Sequence, residues 1–360
     1  MGDLKIFLPN HLLFMLKKYA KISAIIVLLI LTIKGGYEAF KIYNKYIAVN
    51  TTNQNKVYLY IPTNAYYQQV IDSIKKSNFL KNPESFFELA KERNLKLRFK
   101  AGKYGIKTKQ NNRQILNMLL AGNQEAVNIT FQNVRLKQNF VGMVTQKLEC
   151  DSASLFKLLD SAAFVAQYGF TTDNVYTMFI PNQYQMFWNT NAQQFFGRMH
   201  KEYTKFWNAE RIKKLEDLKL TPQQVSVLAS IVDSEALMDK EMPTIAGLYL
   251  NRLKRGIKLE ADPTVIFANN DFTIRRVLNR HLRTASPYNT YLNMGLPPGP
   301  ITMPSIKAID AVLNHQNHNY IYMCAKEDFS GYHNFASNIG QHLINAKKFQ
   351  QALNDRNIKK

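Results

Sequence analysis

The sequence predicts a protein of the α+β class, and three observations lead to this prediction. The chain of 360 residues is 46% hydrophobic and 12% aromatic, which is enough to build two or three domains with substantial cores. Short stretches that alternate apolar and polar residues, such as "VYLYIPT", predict strands. Longer stretches with helical periodicity and capping residues predict helices. We expect an N-terminal helix, a small α+β module and a larger mixed α/β domain.

The N-terminal segment "KKYAKISAIIVLLILTIKGGYEAF" is the most hydrophobic part of the chain. Its uncharged run, 22–33, has 12 residues, whereas a helix needs about 20 to cross a bilayer. The segment 19–40 is long enough to cross if Lys21 and Lys34 extend their charged ends to the membrane surface. We therefore expect a membrane helix at 19–40, with 1–18 in the cytoplasm and the remainder outside. A cleaved signal peptide is a rival interpretation, but no small-residue cleavage site follows the apolar run. A buried core helix is another, but such a helix would be amphipathic, whereas this segment is uniformly apolar.

A small module is expected at 50–132. Strands are predicted at "VYLYIPT", "LKLRFKAGKYGI" and "AVNITF", and helices at "NAYYQQVIDSI", "NPESFFELAKE" and "NNRQILNMLLAG", the last ending at Gly122. In the second strand, Lys96, Arg98 and Lys100 would form a basic face. That face could bind a sugar polymer or simply be solvated, and the sequence does not decide between the two.

The charge and cysteine content exclude several classes of protein. A formal net charge of +21 predicts an anionic partner such as an acidic polymer or anionic lipid. The basic residues form no compact block, and no zinc-ligand spacing, Gly-rich phosphate loop or RNA-binding signature accompanies them, so we expect no nucleic acid, metal or cofactor. With only Cys150 and Cys324, the chain is not a disulfide scaffold. The aromatic segment "MFIPNQYQMFWNTNAQQFF", with Phe179, Tyr184, Phe187 and Trp188, is expected to be core rather than a ligand platform.

The helix "LTPQQVSVLASIVDSEAL" has strong start signals. Thr221 is the expected N-cap, Pro222 occupies the first helical position and Gln224 completes a capping box. At 100° per residue, Glu235 lies within the stripe of apolar residues, whereas Asp233 lies about 160° away. The two acids therefore do not form a facing pair.

A carboxylate on an apolar stripe has three explanations. Glu235 could pair with a buried basic residue, could reach solvent at the helix end, or could have a raised pKa that lets it donate a proton near neutral pH. Periodicity alone leaves all three open.

The C-terminal third contains further candidate site residues. "MPTIAGLYLNRL" predicts a helix, and "LEADPTVIFA" predicts a helix that Asp262 caps and Pro263 opens. The loop "SPYNTYLNMGLPPGPITMPS" carries Tyr288, Asn289 and Tyr291, which suit either sugar binding or pinning of the loop. "YIYMCA" and "GYHNFAS" predict a hairpin, followed by a closing helix. His333 and His342 lack metal-site spacing, and we expect structural roles for both.

Six motifs in order resemble one family. They are "ASIVDSE", "NRL" at 251–253, "DPTV" at 262–265, "YNTY" at 288–291, "GLPPGPI" at 295–301 and "HNF" at 333–335. From about residue 220 to the end, their order and spacing resemble those of the endolytic murein (peptidoglycan) transglycosylases, or YceG-like proteins. The segment "KYGIKTKQNNRQILNMLLAGNQ" is loosely similar to the LysM-like module of that family.

The resemblance implies a fold and an organisation. It implies a membrane helix, a LysM-like module at 50–132 and a catalytic domain at 133–360 with a lysozyme-like catalytic helix and a motif core at 220–345. It also implies a place in the bacterial inner membrane with the catalytic domain on the extracytoplasmic side. Peptidoglycan strands are the implied partner, together with the wall-synthesis machinery as a candidate.

The resemblance also implies a chemistry. Glu235 would be the single catalytic acid and base that cleaves between N-acetylmuramic acid and N-acetylglucosamine and leaves a 1,6-anhydro end. The first acid of the family pair is here the shorter Asp233, which favours the second position as the catalytic one. Two alternatives stay open: a membrane-anchored glycan-binding scaffold, and a water-using muramidase with Asp262 as its second carboxylate. The residues implied to bind substrate or shape the site are Asp233, Asn251, Asp262, Thr264, Tyr288, Asn289 and Tyr291.

Overall fold

The computed structural model describes residues 10–52 and 55–356. The chain forms two compact units, one up to Ala126 and one from Val127 onward. Of the segment 1–18 expected in the cytoplasm, residues 1–9 lie outside the described residues, as do 357–360 of the expected catalytic domain. The observed fold is of the α+β class, rich in helices with small sheets, which confirms the fold class.

The first element is a helix of 37 residues, α1 (Asn10–Tyr46), in which the expected membrane segment lies. Within the described part of the chain, no helix combines the length and the apolar character that a membrane crossing requires. The membrane span predicted at 19–40 is thus not confirmed. The physical reason is that its charge-free run, 22–33, has only 12 residues and lysines on both sides, against the roughly 20 that a bilayer requires.

The end of α1 packs onto the rest of the first unit. The Lys45 ammonium, on a buried residue, forms ion pairs with Glu92 and, at 3.4 Å, with Glu88. The Tyr46 hydroxyl donates a hydrogen bond of 2.8 Å to Oε2 of Glu92. Because these contacts reach a helix more than 40 residues along the chain, the C-terminal turn of α1 is part of the unit. The other elements of the unit are β1 (Val57–Ile61), α2 (Tyr67–Lys76), α3 (Pro83–Glu92), α4 (Leu95–Arg98), β2 (Gly102–Ile106) and α5 (Asn112–Ala121).

Strands β1 and β2 pair antiparallel, from Val57 opposite Ile106 to Ile61 opposite Gly102. The inward side chains of this two-stranded sheet meet the apolar faces of the helices. Gly122 ends α5 in the left-handed conformation, with φ 75°, which confirms the predicted C-terminal glycine. The core of the unit includes Leu59, Ile61, Phe86, Leu89, Tyr104, Ile115 and Leu119.

The predicted strand at 95–100 is wrong. Leu95–Arg98 forms the single helical turn α4, and the strand starts only at Gly102. Leu95 is buried, but Leu97 is 82% exposed, so the alternating leucines do not share one buried face. Since Lys96, Arg98 and Lys100 lie around a turn, the basic strand face proposed from the sequence does not exist.

The second unit contains most of the helices. Its core is aromatic, with Phe140 and Phe179 in contact at a ring-centroid distance of 4.5 Å. Phe179 and Tyr184 are buried and Trp188 packs against the core, as expected, but Phe187 is 52% exposed and its predicted place in the core is wrong. The elements are β3 (Ala126–Phe131), α6 (Lys137–Thr145), α7 (Ser152–Leu159), α8 (Ala162–Ala166), β4 (Asn182–Phe187), α9 (Ala192–Phe206), α10 (Ala209–Leu218), α11 (Pro222–Glu235), α12 (Met242–Lys254), α13 (Asp262–Asn269), α14 (Ile306–Leu313), β5 (Tyr322–Ala325), β6 (His333–Ala336) and α15 (Ile339–Asp355).

Two pairs of strands complete this unit. Strand β3 pairs with β4. Strands β5 and β6 pair antiparallel, with Tyr322 opposite Ala336 and Ala325 opposite His333, so the predicted C-terminal hairpin is confirmed. The predicted closing helix is α15.

Helix α11 runs through the centre of the core. Thr221 Oγ1 accepts the Gln224 backbone N–H at 3.2 Å, and Gln224 Oε1 accepts the Thr221 N–H at 2.9 Å. This is the predicted capping box, with Pro222 at the first helical position. Every residue from Val225 to Val232 is buried. Because the core fixes α11 along two turns, the position of its last residue, Glu235, is well determined.

Candidate active site

The last residue of α11, Glu235, faces a cleft in the second unit, which we call the Glu235 cleft. The cleft has a volume of about 330 Å³, which is within the range of small-molecule sites. Its walls come from α12, the start of α13, the loop 286–305 (the Pro/Gly loop), the β5–β6 hairpin and α15. The lining residues are Glu235, Leu248, Tyr249, Arg252, Leu259, Glu260, Asp262, Tyr291, Tyr322, Met323, Cys324, Ala325, His333 and His342.

Glu235 is held by a tyrosine from the neighbouring helix. The hydroxyl of Tyr249 on α12 donates a hydrogen bond to Oε1 of Glu235 over 3.2 Å. Tyr249 is itself buried, so its hydroxyl has a fixed position. Part of the Glu235 surface stays open to the cleft, while protein atoms crowd the carboxyl group and displace most of its water.

The surroundings raise the pKa of Glu235 from 4.5 to about 7. Loss of water around the carboxyl group is the largest cause, because it disfavours the charged form. The negative charge of Asp262 raises the pKa further. The Tyr249 hydroxyl and the backbone N–H of Asp262 act in the opposite direction, since hydrogen bonds to the carboxylate stabilise its charge. A carboxyl group with this pKa can both donate and accept a proton near neutral pH.

Asp262 lies in the cleft beside Glu235, as the first residue of α13. Its Oδ1 accepts a hydrogen bond of 2.7 Å from the hydroxyl of Tyr291. The predicted N-cap role of Asp262 is wrong: Ala261 is the N-cap residue, and no side chain caps this helix. The carboxylate instead connects α13 to the Pro/Gly loop and places a negative charge near Glu235.

Asp233 lies away from the cleft. Its two carboxylate oxygens accept hydrogen bonds from the backbone N–H and the hydroxyl of Ser305, both at 2.9 Å. Ser305 is the N-cap of α14, and its hydroxyl also accepts the N–H of Ala308. Asp233 therefore connects α11 to the start of α14. The two acids, Asp233 and Glu235, have separate partners, as their helical positions indicate.

Two other motif residues hold loops in place. The amide of Asn251 donates hydrogen bonds to the carbonyl oxygens of His318 and Tyr320, at 2.7 and 3.0 Å. Thr264 is fully buried, and its hydroxyl contacts the carbonyl of Ala261 and Oγ1 of Thr290. Neither Asn251 nor Thr264 is among the residues that line the Glu235 cleft.

The three polar residues of the "YNTY" motif occupy different environments. Asn289 is fully buried, and its amide donates to the carbonyls of Leu282 and Thr284, both at 2.9 Å. The ring of Tyr288 packs against Phe267 at 4.7 Å. Of the three, only Tyr291 lines the cleft. The structure thus brings together Glu235, Asp262 and Tyr291 from the predicted set.

Sequence reasoning missed several residues that line the cleft. Tyr249 shows no signal except apolar spacing within its helix. Arg252 belongs to the "NRL" motif, and its guanidinium donates to the Leu259 carbonyl and to Oε2 of Glu260, both at 2.7 Å. His333 belongs to the "HNF" motif, where only a structural role was expected.

The two cysteines lie in different environments. Cys150 and Cys324 are free thiols, and burial raises the pKa of Cys150 to about 11. Cys324 lines the cleft. Within 10–52 and 55–356, no three His, Cys, Asp or Glu side chains are grouped as a metal site would require.

Comparison with known proteins identifies the family. Residues 59–348 match the model of the YceG-like family. The chain belongs to the YceG-like family. This match covers most of both units and all six motifs. It confirms the resemblance drawn from the motifs.

Several relatives of this YceG-like protein have names that state an activity. A protein of Bacillus subtilis named endolytic murein transglycosylase is 33% identical over 138 residues, which is 38% of either chain. A Streptococcus pneumoniae protein of the same name is 23% identical over 343 residues, covering 85% of this chain and 61% of the relative. The chain thus spans less than two thirds of the length of these relatives.

A solved structure has the same fold. The crystal structure of a YceG-like protein from Listeria monocytogenes superposes with a TM-score of 0.52 at 22% sequence identity. The match covers 81% of this chain and 99% of the other. At this identity, the likeness concerns the fold alone.

Proposed function

We propose that this YceG-like protein is an endolytic murein transglycosylase that cleaves peptidoglycan strands. One observation supports the proposal most: Glu235, a carboxyl group with a pKa raised to about 7, lies in the cleft where the family motifs meet. The names of the relatives from Bacillus subtilis and Streptococcus pneumoniae indicate the substrate.

The bond cleaved on this proposal joins N-acetylmuramic acid to N-acetylglucosamine. Protonated Glu235 donates its proton to the glycosidic oxygen as that bond breaks. The 6-hydroxyl of the muramic acid then attacks the anomeric carbon, directly or after the acetamido group has done so, and its proton passes to a base in the cleft. The product is a 1,6-anhydro end, and no water is consumed. The raised pKa of Glu235 suits the first step, because much of the group is protonated at neutral pH.

The environment of Asp262 supports this reaction over hydrolysis. A water-using muramidase would employ a second carboxylate to activate water, and Asp262 is the acid beside Glu235. One of its oxygens, however, already accepts the Tyr291 hydroxyl at 2.7 Å. We assign to Asp262 the role of raising the pKa of Glu235, and to Tyr291 that of holding Asp262 in place.

The proposed substrate implies where the protein works. Peptidoglycan strands lie outside the cytoplasm, so we propose an extracytoplasmic location for the second unit. By cutting within nascent strands, the enzyme would limit their length beside the wall-synthesis machinery. A reporter fused after Lys360 that is active only in the cytoplasm would contradict this location.

Product analysis tests the proposed function. The full chain is incubated with purified peptidoglycan, and the soluble fragments are separated and weighed by mass spectrometry. We expect muropeptides with 1,6-anhydromuramic acid at internal cut sites. Reducing ends would instead show a muramidase. Binding to the polymer without any fragment would show a glycan-binding scaffold.

A further inference from the structure

A buried carboxylate and a histidine form a second pair of titratable groups at the Glu235 cleft. Glu241 is only 6% exposed, and both of its oxygens bind the same residue. Oε1 accepts the backbone N–H of His333 at 2.8 Å, and Oε2 lies 2.9 Å from the ring Nδ1. We assign the ring hydrogen to Nδ1, so that Glu241 accepts at both of its oxygens. In the neutral ring, Nε2 is then the nitrogen with a free lone pair.

The position of His333 places this tautomer at the Glu235 cleft. His333 is the first residue of β6, where it pairs with Ala325, and its side chain is 14% exposed. It lines the same cleft as Glu235. The contact with Glu241 uses Nδ1, which leaves Nε2 available to a ligand in the cleft. Strand pairing and the buried carboxylate together hold the ring in one orientation.

We propose that Nε2 of His333 is the base that accepts the proton of the attacking 6-hydroxyl. This inference rests on the proposed function and divides its two proton transfers between two groups. The O–H bond of the 6-hydroxyl breaks and its proton moves to Nε2, while the oxygen forms a bond to the anomeric carbon. The glycosidic bond breaks, and the leaving oxygen takes the proton of Glu235.

The cycle closes without another reactant. After the reaction, His333 is an imidazolium and Glu235 is a carboxylate. Transfer of one proton from Nε2 to Glu235 restores both starting states, so atoms and charge balance. The buried Glu241 has the role that a carboxylate has behind the histidine of a catalytic triad: it fixes the tautomer and stabilises the imidazolium.

Two substitutions of His333 distinguish the role of Nδ1 from the role of Nε2. In His333→Asn the amide nitrogen replaces Nδ1, so the hydrogen bond to Glu241 is retained while the atom facing the ligand is lost. In His333→Gln the longer amide reaches the position of Nε2 and can accept a hydrogen bond, but it is not a base. We expect both variants to lose about 10²- to 10⁴-fold in kcat, the usual contribution of a general base, with KM and Tm close to those of the wild type.

A third variant tests the base directly. His333→Ala leaves space where the ring was, and added imidazole should restore part of its kcat in proportion to the imidazole concentration. A purely structural role would show no such rescue. Glu241→Gln keeps one accepting oxygen but removes the charge, and we expect its kcat to fall with little change in KM. If the His333 variants fail to fold, Glu241→Gln still tests the role of the pair.

The outcomes separate this inference from the proposed function. If the wild type yields anhydro products and His333→Asn has the wild-type kcat, the role of His333 is refuted and the transglycosylase proposal stands. Wild-type activity in His333→Gln would reduce His333 to a hydrogen-bond acceptor and refute the base. A wild type that yields no anhydro product refutes both.

Discussion

The hydroxyl of Tyr249 donates a hydrogen bond to Oε1 of Glu235 across 3.2 Å. This bond stabilises the carboxylate form and lowers the pKa of Glu235, whereas the charge of Asp262 raises it. Loss of water is the larger cause, and the sum places the pKa at about 7. Two neighbours with opposite effects therefore adjust the carboxyl group whose proton the proposed reaction needs.

Removing each neighbour should shift the pH dependence of activity in opposite directions. In Tyr249→Phe the pKa of Glu235 rises, so the fall of kcat/KM above about pH 7 should move to higher pH. In Asp262→Asn the nearby negative charge is lost, the pKa falls, and the same limb should move to lower pH. Measuring kcat/KM against pH for the wild type and both variants gives the shifts directly.

A control on Tyr291 separates charge from geometry. Tyr291→Phe keeps the charge of Asp262 but removes the hydrogen bond that positions it. We expect a smaller shift of the alkaline limb than in Asp262→Asn. Shifts in the same direction for Tyr249→Phe and Asp262→Asn would contradict the account of the Glu235 pKa.

Glu235→Gln should abolish cleavage of peptidoglycan. The amide keeps the shape and can accept the Tyr249 hydrogen bond, but it cannot donate a proton to the leaving oxygen. A general acid contributes about 10²- to 10⁴-fold, so we expect at most about 1% of wild-type activity. Product release from purified peptidoglycan measures this, with circular dichroism to confirm the fold.

Asp233→Asn is the matched control for Glu235→Gln, because it makes the same chemical change two residues away. Asp233 contacts Ser305 and does not line the cleft. We expect its activity to stay within about tenfold of the wild type, since helical geometry directs it away from Glu235. An inactive Asp233→Asn beside an active Glu235→Gln would reverse the two assignments.

Much of the fold could be predicted from the sequence wherever local signals and burial agree. The capping box of α11, the end of α5 at Gly122 and the β5–β6 hairpin all follow from short-range chemistry. The strand predicted at 95–100 failed because alternation of Leu95 and Leu97 is compatible with a strand but does not require one. Whether both leucines become buried depends on tertiary packing, and Leu97 is 82% exposed.

The candidate site was predictable only in part. Helical periodicity placed Glu235 on the apolar side of α11, and the motifs pointed to Asp262 and Tyr291. Tyr249 could not be found, because a tyrosine at an apolar helical position is ordinarily a core residue. The pairing of Glu241 with His333 joins residues 92 positions apart, and no local pattern encodes such a contact.

The stability of the protein should depend on the ionisation of Glu235. Its pKa is about 7 in the folded state and about 4.5 in the unfolded state. Between these values the folded state holds a proton that the unfolded state has released. The contribution of Glu235 to the free energy of unfolding is therefore fully present below about pH 4.5 and is lost as pH rises through about 7. The shift corresponds to at most about 3 kcal/mol, at 1.36 kcal/mol for each pKa unit.

Glu235→Gln removes this dependence, because the amide does not titrate. Between pH 5 and pH 8 the wild type should lose stability through Glu235 and the variant should not. The Tm of the variant minus the Tm of the wild type, at constant ionic strength, should therefore be larger at pH 8 than at pH 5. Glu216→Gln, which changes an exposed residue on α10, is the control. If the difference in Tm between Glu235→Gln and the wild type is the same at both pH values, the raised pKa is wrong.

Asp233 should contribute to stability through the start of α14. Asp233→Ala leaves the Ser305 backbone N–H without its partner, and we expect a loss of about 1–2 kcal/mol in the free energy of unfolding. Ser305→Ala removes the hydroxyl that bonds Oδ1 of Asp233 and caps α14, but keeps the backbone N–H that bonds Oδ2. In a double-mutant cycle the two losses should be less than additive, since both variants break the same interaction. Additive losses in urea unfolding would show that the bond between the Ser305 hydroxyl and the Asp233 carboxylate contributes nothing.

The two glycines of the "GLPPGPI" motif should respond differently to substitution, because different physical constraints require them. A Cβ on Gly299 would collide with the backbone carbonyl of Asp173 and lie 2.8 Å from the Tyr288 hydroxyl. Gly295 has open space around it but a φ of 80°, which side chains other than Asn and Asp adopt at a cost. Gly299→Ala and Gly299→Asn should both lower the free energy of unfolding by about 1–3 kcal/mol. At Gly295, Asn should cost less than Ala.

Gly197 on α9 provides the control for this prediction. Within the described part of the chain, nothing outside the backbone of α9 lies within 4 Å of a Cβ added there, so Gly197→Ala should stabilise the helix by about 0.5–1 kcal/mol. Urea unfolding of the five variants tests the assignments. If Gly299→Ala is as stable as the wild type, the motif loop does not lie against Asp173.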